Sequence, residues 1–478
     1  MLDPEVIKTR VGIVGGGPAG LMLSHLLAEA GIDNVVVDNR EHETIRTTHR
    51  AGILEHGSVS MLVESGVSDR VLTAGHKHEG IDLRFGGESH RIDFTDLVGE
   101  AVWLYPQNEV FVDLAAARRR DGGDVRFGVS DTAVSDLTSH TPRISFTDAD
   151  GVAREIHAEI LVGADGSQGI TKWAIPSEHR TDNFTEYPFA WFGILCEASP
   201  SAEELIYAHS QHGFALISQR DANIQRMYFQ CSPDEDAAAW SEDQIWAELR
   251  KRVDGPDGLE LQQGRIFDKT VLKFRSYVCE PMRYGNLFLA GDAGHTVPPT
   301  GAKGLNLAFA DVRVLFEGIE SWAATGSRDL LDRYSERALD RVEGPELLLL
   351  DDLHAAHPPR REPLRLQAPA RRAHDRGRLP PRIGLPRRGL HRLARSVIRL
   401  DRTDPVTTGA EADPPPQRFR WSATDWATLA QGLARPTRCM PPCSAVYWPP
   451  SAPERDALRS GLSEELAPKT GEGVRSAP

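Results

Sequence analysis

The chain has 478 residues, 40% of them hydrophobic and 26% charged, and a net charge of −14. This is the composition of a soluble globular protein with material for about three domains, and its acidity argues against nucleic acid as a partner. No apolar run approaches the ~20 residues of a membrane helix, no apolar signal core follows Met1, and five scattered cysteines fit a reducing compartment, so a cytoplasmic location is expected.

In chain order, residues 9–15 (TRVGIVG) form an apolar strand, and Pro18 to Ala30 places Leu21, Met22, Leu26 and Leu27 at helical spacing. Gly31 stops that helix, and Asn34 to Asp38 (NVVVD) is the next buried strand. Strand, turn, helix and strand make a βαβ unit. Arg118 to Arg120 read as a solvated helix face. Glu159 to Gly163 and Asn286 to Ala290 are two further buried strands, each running into a Gly/Asp turn, and residues 187–231 alternate as in an antiparallel sheet covered on one face.

Gly15, Gly17 and Gly20 fit the pattern GxGxxG between that first strand and its helix. Glycines there permit a tight turn and close approach of backbone to a pyrophosphate, and the helix start adds free N–H groups. Asp38 ends the second strand, placed to accept from ribose hydroxyls. Two more acid turns follow strands, at Gly163-Ala164-Asp165-Gly166 and Ala290-Gly291-Asp292-Ala293. An extended flavin adenine dinucleotide needs partners so far from its adenosine, whereas a plain nicotinamide dinucleotide does not. Thr300, Gly301 and Gly304 then lead into a helix from about Leu305, whose start suits the negative charge of a reduced flavin.

From Glu343 to Pro478 the composition changes. This tail holds 20 of the 32 prolines, and its 22 basic residues against 16 acids give +6, leaving −20 for the body. Proline interrupts every helical or strand period, as in a basic disordered arm. The tail also fits a coding sequence read out of frame. Shifted by one nucleotide, the codons from Glu343 onward are compatible with an amphipathic, aromatic-rich segment, which places a frameshift close to Val342. Cys439 and Cys443 have no second pair, so no metal site is expected.

With Arg50-Ala51-Gly52-Ile53-Leu54-Glu55, Tyr187-Pro188-Phe189 and Pro298-Pro299-Thr300-Gly301-Ala302-Lys303-Gly304-Leu305-Asn306, residues 8–342 resemble the class A FAD-dependent aromatic hydroxylases. The resemblance implies an α/β chain, α+β overall. It has a discontinuous Rossmann-like FAD domain (1–75, 105–180, 270–342), a smaller antiparallel-sheet substrate domain (76–104, 181–269) and an aberrant tail (343–478). It implies FAD contacts at Ala19, Asp38, Thr48, His49, Arg50, Ala51, Gly52, Ile53, Gln107, Asp165, Asp292, Leu305 and Asn306. NADPH or NADH would reduce the flavin, partly through Arg50 and Arg275. Gln168, where relatives commonly carry histidine, and Asn39 leave the choice of coenzyme open. The implied reaction uses O2 and a flavin hydroperoxide to convert 4-hydroxybenzoate into 3,4-dihydroxybenzoate, or hydroxylates a related phenolic acid. A homodimer is implied, and a family tyrosine near the C-terminus has no counterpart as the tail reads, so this chain could be an inactive FAD-binding remnant.

The substrate residues are partly legible without the family. Ser218 and Arg220 share one strand face at i and i+2, and a hairpin centred on Asn223 puts Ser218 opposite Tyr228. Hydroxyl, guanidinium and phenol together would clamp a carboxylate, although a structural ion pair at Arg220 and a core tyrosine at 228 suit the same residues. The resemblance assigns the substrate to these positions and adds Gln219, Pro299 and Tyr207, the last touching the phenol oxygen and starting a proton relay.

Overall fold

A computed structural model describes residues 4–48 and 52–342. His49, Arg50, Ala51 and the whole tail, with its proposed frame change and paired cysteines, lie outside the described residues. Two sheets dominate. The first has six strands in the order 283–284, 287–289, 160–163, 11–14, 34–38 and 124–127, all parallel but the first. Its central strands Val11–Val14 and Ile160–Gly163 are buried throughout, as strands covered on both faces must be. Helix Pro18–Glu29 packs on it through Leu21, Met22, Leu26 and Leu27.

The second sheet has eight strands, in the order 295–296, 265–280, 181–197, 224–231, 213–219, 206–210, 80–85 and 88–93. One face carries Phe192, Ile206, Ile217 and Phe229 and is covered by Ile245, Trp246 and Leu249 of helix Glu242–Val253. The other presents Trp191, Tyr207, Leu216 and Tyr228. Period-2 alternation thus gives one sheet a sealed face and a face free to build a site. Tyr187-Pro188-Phe189 falls where the register of Thr181–Glu197 against Arg265–Glu280 shifts, between Glu186 and Ala190. Proline cannot donate to the ladder, so a bulge is where a long strand tolerates it.

The mixed α/β fold is the one expected. The strand Arg265–Glu280 runs across position 269/270, and a small sheet joins Ile53–Glu55 to Val102–Leu104 and His76–His78. One expectation is corrected. Arg118 is not on a solvated face: it is 4% exposed and donates from Nε to Ser24 Oγ at 3.0 Å. Among the described residues no helix is long and apolar enough to cross a membrane.

The glycine turn brings backbone close to backbone. A Cβ on Gly20 would stand 1.9 Å from the Gly15 carbonyl oxygen, and one on Gly15, at φ +113°, would stand 2.2 Å from the Ala164 carbonyl oxygen. Neither partner is a flexible side chain, so Gly20→Ala is expected to destabilise by about 1–3 kcal/mol and to lower the flavin content of the purified protein. Denaturant unfolding and absorbance near 450 nm, a wavelength of about the flavin band, check both.

Candidate active site

The glycine loop is built to receive a dinucleotide. Gly17 caps helix Pro18–Glu29 without a side-chain bond, and its first turn holds no acid, so the helix keeps its free N–H groups and positive end. Ala19 lies in that first turn. A second such start belongs to helix Lys303–Thr325, capped by Ala302 in the left-handed region with no side-chain bond. Nothing lies within 4 Å of where a Gly304 Cβ would be. Two uncapped helix starts, with a turn as tight as a pyrophosphate requires, fit FAD.

Several residues expected to touch the cofactor are already occupied by protein. Asp38 accepts from Gly16 N at 2.7 Å and is forked by Arg40, with Nε to Oδ1 at 3.0 Å and a terminal nitrogen to Oδ2 at 2.8 Å. A ribose bound here would share this carboxylate with a guanidinium that sequence reasoning missed, although its i+2 spacing beyond the strand was visible. Asp165 binds its own turn, accepting from Ile170 N, Thr171 N and Thr171 Oγ1 at 2.6–2.9 Å. Burial nevertheless pushes its pKa up. Thr48 donates to Thr44 O.

Asn306 uses its whole amide: Nδ2 donates to Ile53 O and Ala302 O, and Oδ1 accepts from Glu55 N and Ser58 Oγ. It holds the cradle rather than presenting its side chain to a ligand. Leu305, in the first turn of its helix, offers a backbone N–H there. Gly52 faces the backbone of Tyr105, Pro106 and Gln107, where a Cβ would come within 2.0–2.8 Å. Asp292 sits in the turn Gly291–Ala293, which Asp311 anchors by accepting from Gly291 N at 2.8 Å and His295 Nε2 at 2.6 Å. Arg275 is exposed on its strand opposite Glu186.

Beside Gly52 and Ile53 a pocket opens on the free face of the large sheet. It brings together Tyr207, Ser218, Gln219, Arg220, Tyr228 and Pro299, all expected, with Arg226, which was not. The expected register is corrected: Ser218 pairs with Arg226, and Tyr228 pairs with Leu216, which in turn pairs with Tyr207. The hairpin is centred at residue 222 rather than 223, so alternation from Tyr228 would have found Arg226 on the same face. Ser218 Oγ donates to Arg226 O at 2.7 Å, and Gln219 reaches the buried His78 with 3.0 Å between nitrogens.

Electrostatics in the pocket favour an anion. Burial, then the neighbouring Arg226, lowers the pKa of the Arg220 guanidinium. The Arg226 guanidinium lies 5.5 Å from the Tyr228 ring centre. Burial raises the Tyr228 pKa against the pull of both arginines. Tyr207 is pushed up to about 12 by burial, opposed by a hydrogen bond from the Gly301 backbone N–H. Gly193 makes room for Tyr228: a Cβ there would stand 2.7 Å from its ring. Trp191, Leu205, Leu216, Ile53 and Leu104 complete an apolar wall, and among the described residues no carboxylate lines the pocket.

The FAD binding domain family matches residues 8–345. The p-hydroxybenzoate hydroxylase of Acinetobacter baylyi is 39% identical over 339 residues, which cover 71% of this chain and 83% of that protein. A 3-(3-hydroxy-phenyl)propionate/3-hydroxycinnamic acid hydroxylase of Burkholderia vietnamiensis is 26% identical over 347 residues, 70% of this chain and 53% of that one. Among solved structures, p-nitrophenol 4-monooxygenase from Pseudomonas putida superposes with a TM-score of 0.59 at 21% identity, covering 71% of this chain and 86% of that one, a likeness of fold alone. On sequence, fold and site together, the chain belongs to the class A FAD-dependent aromatic hydroxylase family.

Proposed function

We propose that this protein hydroxylates 4-hydroxybenzoate to 3,4-dihydroxybenzoate with FAD, NADPH or NADH, and O2. The observation that carries this reading is the layout of the large sheet's free face. Tyr207, Leu216 and Tyr228 form one row across three strands; Ser218 and Arg226 form the next row, with Arg220 beyond. Rows on one face are two residues apart, about 7 Å, comparable with the span between the two oxygen functions of a para-hydroxy acid. A carboxylate would rest against the guanidiniums, which match it as forks, while the phenol oxygen faces Tyr207.

Glycines 15, 17 and 20, Ala19, Asp38, Asp292 and Leu305 in the first turn of helix Lys303–Thr325 would hold FAD, and Arg275 with Arg50 would receive the nicotinamide coenzyme. Bound FAD, reduced and then reacting with O2, would supply the single oxygen atom inserted beside the substrate hydroxyl. This chain's residues prepare the ring for that attack. A free phenol has a pKa of about 10, and a phenolate ring donates electrons far better. Tyr207, held protonated by burial, donates to the substrate oxygen and so favours the phenolate. Its own oxygen accepts from Gly301 N–H. The apolar wall excludes water, which strengthens these contacts.

A second reading, an inactive FAD-binding remnant, is favoured by one observation. The family match stops at residue 345, beside the composition change at Glu343. Oxidation of NADPH or NADH by the full chain with added FAD tests both readings. Stimulation by 4-hydroxybenzoate with formation of 3,4-dihydroxybenzoate is the expected result. No response, where a version restored in frame after Val342 responds, selects the remnant; no response from either rejects the substrate.

Two substitutions sharpen the assignment. Tyr207→Phe is expected to bind substrate yet lose about 100-fold or more in product formation, read by product analysis against substrate affinity. An unchanged product yield would remove Tyr207 from the site. Arg220→Lys keeps the charge but loses the fork, about 1.5–3 kcal/mol, so substrate affinity is expected to fall roughly ten- to a hundredfold. Flavin perturbation on titration with 4-hydroxybenzoate measures it.

A further inference from the structure

Three ligand atoms of the kind that bind metals converge away from the pocket, where two helices end. His25 lies in the last turns of Pro18–Glu29 and is fully buried. Its Nε2 stands 2.8 Å from the Ser65 carbonyl oxygen. A carbonyl only accepts, so Nε2 carries the proton and, in the neutral ring, Nδ1 carries a lone pair. Nδ1 has no hydrogen-bond partner and lies 3.5 Å from Asp121 Oδ2. Glu29, one turn beyond His25, brings a carboxylate to the same place, and the three ligand atoms lie within 4.8 Å of one another. Acceptors facing acceptors repel unless a proton or a metal cation stands between them.

We propose that His25, Glu29 and Asp121 bind a divalent transition-metal cation such as Zn2+, with water completing a four-coordinate shell. The Nε2–H bond to Ser65 O is the outer contact that orients a metal-bound imidazole. Asp121 ends helix Gln107–Arg120, so two helix C-termini, each a negative dipole end, meet at the site. Arg120 forks Asp121 at 2.7 and 2.9 Å, one bond per oxygen, which leaves a lone pair on Oδ2 for the metal. Arg118 and Arg120 offset the two carboxylate charges. Selection therefore rests on the imidazole and favours transition metals over Mg2+ or Ca2+.

The test is a Co2+ titration of the metal-free full chain, followed by its visible d–d absorption and by displacement with Zn2+. The tail brings His354, His357, His374, His391, Cys439 and Cys443, so the readout is the difference between wild type and variants. Glu29→Gln and His25→Asn are each expected to weaken the first Co2+ equivalent by at least about tenfold and to change its spectrum. Unchanged spectrum and affinity in Glu29→Gln, an exposed position that leaves the core intact, would overturn the site even where His25→Asn fails to fold.

Discussion

The placement of the active site depends on one buried amide. Asn306 joins the strand Ile53–Glu55 and the helix that follows it to the start of helix Lys303–Thr325, using both amide hydrogens and its oxygen. Gly52 and Ile53 line one side of the pocket, and Pro299 and Ala302 line another. The amide therefore fixes the distance between two walls that are some 250 residues apart in sequence. A part-buried ion pair from Lys303 to Glu55 reinforces the same junction.

Within these walls the sheet supplies the chemistry. Two guanidiniums sit close enough for Arg226 to help lower the pKa of Arg220. That mutual repulsion is the complement of a bound anion: a carboxylate between the arginines would relieve it. Tyr207, by contrast, has nothing charged among the causes of its shift. One end of the pocket thus favours an anion by net charge, and the other by a single protonated hydroxyl, so a para-hydroxy acid would enter in one orientation.

Much of this was legible in sequence, because it rests on short-range rules. The βαβ unit follows from apolar runs and glycine spacing, and the paired faces of Ser218 and Arg220 follow from strand alternation. What escaped depends on pairing between strands or on packing between distant elements. The expected turn centre at Asn223 was one residue late, which misaligned Ser218 with Tyr228 and hid Arg226. Arg40 folds back onto Asp38 two residues earlier, and Arg118 turns inward to Ser24 on a neighbouring helix. No local pattern marks Arg118 as a long cation that will be buried. The helix expected from Leu305 begins at Lys303 because Ala302 takes a left-handed cap that its residue type does not advertise.

The helix starts show where stability and binding compete. Helix Glu242–Val253 covers the sealed face of the large sheet and carries a complete capping box from Ser241 and Gln244, with Glu242 and Asp243 in its first turn. Each element satisfies or complements the free N–H groups, worth about 1 kcal/mol for the cap alone. The helices opened by Gly17 and Ala302 have neither a side-chain cap nor an acid in the first turn. A serine or aspartate at either position would stabilise the empty fold by occupying the groups that a pyrophosphate or a reduced flavin ring needs. Leaving them uncapped makes the fold less stable without cofactor and binds the cofactor more tightly, since FAD would satisfy donors that nothing else does. The same logic explains why Gly15 and Gly20 approach so closely: the turn spends its geometry on reach toward a ligand rather than on side-chain packing.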